Sequence, residues 1–392
     1  NAMNNTRITR IDLTPLHVPF HQHVRDLMAG SAGGLGMDIP AEEEWLGGDF
    51  VVCALHDDQG RVGWSEVFVW LPETGASPGQ IIDIVRGALS RYVLGESPFN
   101  VERIAHRMES NVARSEAAKG LLDMACYDLA GRISGLAVCE LMGGACAREI
   151  PLCALVPLMD TASMLGIGRM FFDEGYRSFR LKLGTGIEDD VERIRAFRET
   201  FGAGVRLRVD YNQAYTPARA VRAIRAIEPY GIDFAEQPVA ASDFAGMAYV
   251  QRLVDTPLMA HESCFSLRDF TALADLGAVR VLGVNSERPG GLTLALRAIA
   301  VAESRGMGVV IHNQPLGLAS AMHLHLAAAR FHALGHAVEL FGHIMMEDDI
   351  IASPIEYSGG KAVLPDGPGW GVEPDPSALD RYRTAETTII TG

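Results

Sequence analysis

The sequence predicts an α/β protein, a closed barrel of eight β-then-α units following a smaller α+β unit. Three observations carry that expectation. Between residues 149 and 341 eight short apolar runs recur, with a helical pattern in most of the gaps, whereas residues before 135 lack this alternation. The length of 392 residues suits one large domain and one small one. A hydrophobic content of 48% with 21% charged residues excludes a disordered or collagen-like chain, despite 41 glycines.

Taken in order, Met3 reads as the natural start, with Asn1-Ala2 as added residues, and the polar stretch after it lacks the apolar core of a signal peptide. Ile8–Pro15 reads as a strand. Gln22–Gly48 is rich in glycine and acidic residues and has no period, which predicts a long loop of the kind that covers functional sites or is simply mobile. Phe50–Leu55 and Val62–Val69 flank the turn signal Asp57-Asp58-Gln59-Gly60 and predict a hairpin. From Ile81 to about Gly135 the pattern is helical, with Ala117, Leu121, Met124, Ala125 and Leu129 on one face.

The eight apolar runs are Pro151–Pro157, Ser178–Leu183, Val205–Val209, Ile232–Ala235, Thr256–Ala260, Val279–Val284, Gly308–Ile311 and Ala337–Phe341. Helices are marked between them by the stripe Ile187, Val191, Ile194, Phe197 and Phe201, by Thr216-Pro217 and Ser266 as starts, and by Gly306 as a stop. The rival, a doubly wound dinucleotide-binding sheet, needs a glycine-rich turn. The nearest candidate, Gly184-Thr-Gly186, lacks the third glycine. A TIM-type barrel is therefore expected.

Charge narrows the partners. Lys and Arg number 34 against 49 Asp and Glu, a net charge of −15, which repels nucleic acid and anionic membranes. No run reaches about 18 uninterrupted apolar residues, so no membrane span is expected. The six cysteines show no CxxC and read as reduced, mostly buried packing residues of a cytoplasmic protein, Cys264 included.

A TIM barrel carries its chemistry at the C-terminal strand ends. On strand two, Arg180 and Lys182 alternate onto the same inward face. Asp210, Glu236 and then His261 or Glu262 follow at one β/α unit each, on strands three, four and five. Carboxylates converging from neighbouring strands suit a hard cation such as Mg²⁺, although any one of them could instead cap the next helix. Asn285, His312 and Glu339 end strands six, seven and eight. Two of these strand-end residues have a structural alternative: Lys182 as an ion-pair partner of Asp210 or Glu236, and His312 as a core histidine. We expect His323, His325, His332, His336 and His343 to be mostly surface residues, and Glu287 and Arg288 to be loop charges, with Arg288 able to reach a substrate anion.

The set Arg180-x-Lys182, Val-Asp210-Tyr-Asn, Ala-Glu236-Gln-Pro, Ala-His261-Glu-Ser and Gly290-Gly291 resembles the mandelate racemase/muconate lactonizing branch of the enolase superfamily. The segment Leu122-Asp123-Met-Ala-Cys-Tyr-Asp128-Leu-Ala-Gly131 resembles the helix preceding the barrel there. The resemblance spans nearly the whole chain. It implies a (β/α)7β barrel over 149–355, an α+β cap over 3–135, and a C-terminal segment, 356–392, that returns to the cap. It also implies Mg²⁺, held by Asp210, Glu236 and His261 or Glu262, and removal of the proton α to a carboxylate through a metal-stabilised enolate.

Three positions depart from the family pattern. Arg180 stands where a lysine is common; it is a poor base but a good carboxylate fork. His261 takes a slot usually held by Asp or Glu. Either Glu262 ligates, His261 binds through water, or the site favours Mn²⁺ or another metal. Asn285 stands where relatives carry Lys or Asp, which removes one known base and leaves His312 with an orienting partner but no counter-charge. Lys182 and His312 then remain as opposed acid/base groups, with Glu339 able to supply charge to His312. We expect dehydration of a hydroxy or sugar acid, with racemisation or epimerisation of an α-substituted carboxylate as the alternative and a non-catalytic binder of the same fold as a further one. The expected partner is a small-molecule carboxylate, and the expected assembly a homo-oligomer. Substrate identity is expected to lie in Gln22–Gly48 and Phe68–Leu71.

Overall fold

The computed structural model describes residues 6–30 and 45–392. Eight parallel strands form one sheet in chain order: Cys153–Val156, Ser178–Lys182, Arg206–Asp210, Ile232–Glu236, Leu258–Met259, Val281–Val284, Gly308–Asn313 and Glu339–Leu340. We number them barrel strands one to eight. A parallel bridge between Leu152 and Val338 joins the first to the last. Seven helices of nine to fifteen residues follow strands one to seven, while strand eight leads only to the four-residue turn of helix Gly342–Met345. This is the (β/α)7β arrangement.

The strands form because their apolar residues bury on both faces. Phe179, Leu181, Leu207, Val209, Phe234 and Ala235 are fully buried. Helix starts follow the local signals. Ser266 accepts from Asp269 N and the Asp269 side chain accepts in return, a capping box, and Pro217 fills the first turn after Thr216.

The cap is a four-stranded antiparallel sheet. The strand Ile8–Pro19 lies between Gly47–Asp57 on one side and the C-terminal strand Thr388–Thr391 on the other, and Val62–Val69 completes the hairpin. In the hairpin turn, Asp57 Oδ1 accepts from Gln59 N and Arg61 N, which stabilises the reversal. The expected loop Gln22–Gly48 is only partly one. Residues 22–30 form a helix with Val24 buried and Gln22 bonded to Asp26 one turn on, and Gly47 and Gly48 already belong to a strand; residues 31–44 lie outside the described residues. Among the described residues no helix is long and apolar enough to cross a membrane.

Helix Glu116–Ser134 connects cap and barrel. It is buried nearly all round, including Asp123 and Asp128. Asp128 accepts from the backbone N–H groups of Trp64 in the hairpin and Trp370 in the C-terminal segment. Asp123 accepts from Leu292 N, Thr293 N and Thr293 Oγ1, closing the N-terminus of the helix after strand six. Gly120 and Gly291 make this approach possible. A Cβ on Gly120 would meet Gly291 N at 2.6 Å, and Gly291 itself has φ +84°.

The histidines of the seventh helix are not on the surface. His323 and His325 are fully buried in helix Gly317–Ala329, which is buried all round. His323 Nε2 accepts from Ser286 N, and His325 bridges Cys139 N and the Trp370 carbonyl. They are polar staples between helix, loop and tail. Burial lowers both to a pKa of about 4. The cysteines are unpaired; five are buried and Cys146 is exposed. Burial pushes the Cys264 thiol up to about 12, as expected of a packing residue.

Asp123 joins the cap helix to the barrel through three buried bonds, so Asp123→Ala should lower the free energy of unfolding by about 2–4 kcal/mol. A urea titration checks this; an unchanged midpoint would mean that the bonds contribute nothing net.

Candidate active site

Strand register builds the site. Lys182 stands beside Asp210, Asp210 beside Glu236, and His312 beside Glu339. A pocket at the C-terminal strand ends is lined by Arg180, Lys182, Asn212, His261, Asn285, His312 and Glu339 from the barrel, and by Trp45, Trp70 and Glu73 from the cap. Leu155, Phe341 and Met345 add apolar wall. Trp45 and Trp70 stack with ring centroids 4.6 Å apart, and Phe20 meets Trp45 edge-on.

Arg180 is the centre of the polar network. Its guanidinium donates to Glu339 Oε2 at 3.0 Å, to Glu236 Oε1 at 2.8 Å and to Asp210 Oδ2. It is therefore a fork for the protein's own carboxylates. Lys182 Nζ donates to Asp210 Oδ2 and, at 2.6 Å, to Asn212 Oδ1, so the ion-pair alternative for Lys182 is realised with Asp210. Burial alone would raise the Asp210 carboxyl, but Lys182 and then Arg180 beside it hold it well below the usual range. Glu236 differs. Burial dominates over the Arg180 attraction and lifts it to about 7.

His261 lies among carboxylates. Its Nδ1 is 3.5 Å from Glu262 and 3.6 Å from Glu236, and its Nε2 is 3.7 Å from Glu73. Burial and Arg288 pull its pKa down, yet Glu73, Glu262 and Glu236 together leave it raised. Glu262 accepts from Asn212 Nδ2 at 3.1 Å.

Two expected roles need correction. Asn285 does not orient His312, because its Oδ1 accepts from Glu287 N and Arg288 N and closes its own turn. Glu339 does not supply charge to His312 either; it is engaged by Arg180 and by Arg208, whose ion-pair contact is 2.5 Å. Glu287 and Arg288 are buried rather than loop charges. Glu287 accepts from Phe68 N and Asn313 Nδ2, while Arg288 donates to the His261 carbonyl and pairs with Glu73 at 3.2 Å. Trp45 and Trp70 fall inside Gln22–Gly48 and Phe68–Leu71, the segments expected to meet the substrate, whereas Glu73 and Asn212 are site residues that sequence reasoning does not single out. Asn212 lies in the turn just past the end of strand three, with φ +41°, and its place in the Val-Asp210-Tyr-Asn motif is the signal that could have found it.

His312 packs against Gly283 of strand six, where a Cβ would meet its Nε2 at 2.8 Å. Its ring faces His261 edge-on at 4.9 Å. Burial first, then the neighbouring His261, Arg180, Arg288 and Arg208, lowers its pKa well below the ordinary value.

Residues 167–378 match the family description "Enolase C-terminal domain-like", and residues 47–143 match "Mandelate racemase / muconate lactonizing enzyme, N-terminal domain". The chain belongs to this family of the enolase superfamily. A hydrophobic dipeptide epimerase of Enterococcus faecalis is 32% identical over 281 residues, covering 70% of this chain and 78% of the relative. A chloromuconate cycloisomerase of Pseudomonas putida is 29% identical over 307 residues, covering 77% and 82%. The crystal structure of an N-succinyl Arg/Lys racemase from Bacillus cereus superposes with a TM-score of 0.87 at 26% identity, covering 98% of this chain and all of that one.

Family members generally depend on Mg²⁺. The residues as placed here do not fit that ion. Arg180 lies across Asp210 and Glu236, and the third slot holds an imidazole in place of a hard oxygen donor; Glu236 Oε2 and Glu262 Oε2 are buried without a hydrogen-bond partner, but among the described residues no group of three potential ligands is arranged to hold a metal.

The His312 imidazole should stay neutral at pH 6.5 and gain its proton only well below that. Histidine ring ¹⁵N–¹H spectra, with His312→Asn to assign the signal, check this; half-protonation near the ordinary value would contradict it. Because the unfolded chain protonates this residue near about 6.5, its neutral burial contributes stability that is lost as pH falls below about 6.5.

Proposed function

We propose that the protein racemises or epimerises an α-substituted carboxylate carrying a bulky apolar group, by removing the α-proton on one face and returning a proton on the other. The observation that carries this reading is that Lys182 on strand two and His312 on strand seven line one pocket. Their states are complementary. His312, held neutral, accepts the α-proton, while Lys182, donating to Asp210 and Asn212, delivers one from Nζ. The reverse direction uses the opposite pair of states. Negative charge developing on the substrate carboxylate meets Arg180 and Lys182, buried cations that line the pocket.

Dehydration of a sugar acid, the expectation from sequence, is less well supported. The relatives include an epimerase, a cycloisomerase and a racemase, and Trp45, Trp70, Leu155, Phe341 and Met345 make an apolar wall rather than one suited to a polyol. Asn285 leaves strand six without a lysine, so in this reading His312 takes the position of second proton carrier.

The test is incubation in D₂O with N-acyl amino acids and apolar dipeptides. Deuterium should enter at the α-carbon with inversion and no loss of substituent; elimination of water from hydroxy acids without such exchange would replace this reading by the dehydratase one. Lys182→Ala and His312→Asn should each lower turnover by about 10²–10⁴-fold. Trp70→Ala should raise KM for apolar substrates about tenfold with a smaller change in kcat, since the ring supplies binding area remote from the reacting carbon. An unchanged KM would remove Trp70 from substrate recognition.

A further inference from the structure

The mouth of the barrel is crowded with charge, and its arrangement is specific. Five buried or part-buried carboxylates meet there: Glu73, Asp210, Glu236, Glu262 and Glu339. The protein supplies its own Lys or Arg to four of them, and Glu262 meets Asn212 Nδ2 and the His261 ring instead. Arg180 reaches Asp210, Glu236 and Glu339, Lys182 reaches Asp210, Arg208 reaches Glu339 and Arg288 reaches Glu73.

Both oxygens of Asp210 are taken. Oδ1 accepts from Asn212 N at 2.9 Å, and Oδ2 accepts from Arg180 and Lys182. A lysine at position 180 would be a compact point charge on a flexible stem. The planar guanidinium instead lies across carboxylates from three different strands at once, and it cannot give up its charge to make room for another cation. At position 261 the side chain that faces Glu236 and Glu262 is an imidazole rather than a hard oxygen donor, which is a poor match for Mg²⁺.

We propose that the resident cation of this site is the Arg180 guanidinium, and that the wild-type chain binds no divalent metal among Asp210, Glu236, His261 and Glu262. A second, doubly charged ion at Asp210 and Glu236 would lie within a few ångströms of a buried guanidinium and ammonium, with only Glu262 and the unpartnered Glu236 Oε2 left to offset it. The two departures act together: arginine occupies the carboxylates, and histidine removes an oxygen ligand. Metal uptake is measured without a substrate, so this assignment stands or falls separately from the epimerase reading.

The experiment is calorimetric titration of the full wild-type chain with MgCl₂ and separately with MnCl₂, with metal content after dialysis measured by plasma mass spectrometry. Wild type should show no saturable uptake of either ion and no change of Tm with either ion or with EDTA. The double variant Arg180→Lys with His261→Asp should gain one bound ion per chain and a Tm that rises with Mg²⁺. The single variant His261→Asp, which leaves the Arg180 network in place, should gain much less. One-to-one uptake of either ion by the wild type overturns the inference. A folded double variant that still takes up no metal overturns the assignment of Arg180 and His261 as the cause.

Discussion

A guanidinium keeps its proton under all conditions in which this chain folds, so burying Arg180 at the end of barrel strand two obliges its neighbours to supply negative charge. They do so from strand three with Asp210, from strand four with Glu236 and from strand eight with Glu339. Glu339 also meets Arg208 of strand three, so one connected network runs across the inside of the barrel and joins its last strand to its second and third. Such a network is costly to desolvate and costly to break. Removing one member leaves a buried charge without a partner, a penalty larger than the net gain from the intact pair. The carboxylates nearest Arg180 are therefore not free agents. Asp210, which also has Lys182, is held strongly acidic, whereas Glu236, with a buried Oε2 that has no hydrogen-bond partner, stays near pKa 7.

The second organising element is the turn after strand six. It holds together parts of the chain that lie far apart in sequence. Glu287 bonds the end of the cap hairpin through Phe68 N and the end of strand seven through Asn313, and Arg288 fixes both the His261 carbonyl and Glu73. Glu66 reaches from the same hairpin to the backbone N–H groups of Leu316 and Ala319, at the start of the helix after strand seven. Trp70 and Glu73 come directly after that hairpin. Their position over the pocket is thus set by charges buried in the barrel loop and not by the cap sheet alone.

The fold is legible in the sequence because its signals are local and redundant. Eight strands buried on both faces give eight apolar runs, and capping residues such as Ser266 mark the gaps. The strand-end residues are legible for the same reason, since alternation says which side chains point inward. It does not say what they meet there. Chemistry alone makes Arg180 a fork for a substrate, and it proves to be a fork for the protein. Strand position pairs Asn285 with His312, but the Asn285 carbonyl closes a turn two and three residues on, a competition between backbone and side chain that strand spacing cannot resolve. His323 and His325 suggest a surface by their polarity although their helix is apolar on every side, a pattern that itself signals complete burial. Glu73 and Trp45 belong to the cap, and no periodicity in the barrel could have placed them over its mouth.

In the proposed reaction the two proton carriers stand in different surroundings. Lys182 and His312 come from opposite sides of one pocket, yet their surroundings have opposite sign. Lys182 has a strongly acidic carboxylate and a carbonyl oxygen within hydrogen-bond reach, and it donates to both. The charges that act most on His312 are those of His261, Arg180, Arg288 and Arg208, all positive, which favours the neutral ring. Exchange of a proton between two faces of one carbon requires one donor and one acceptor at the outset. Here the neutral ring of His312 follows from its burial and from where the buried cations stand. Arg180 adds to both effects: after Lys182 it lowers the Asp210 carboxyl, and after burial and His261 it lowers the His312 ring. One buried guanidinium thus contributes to the field at the acidic partner of Lys182 and at the His312 ring.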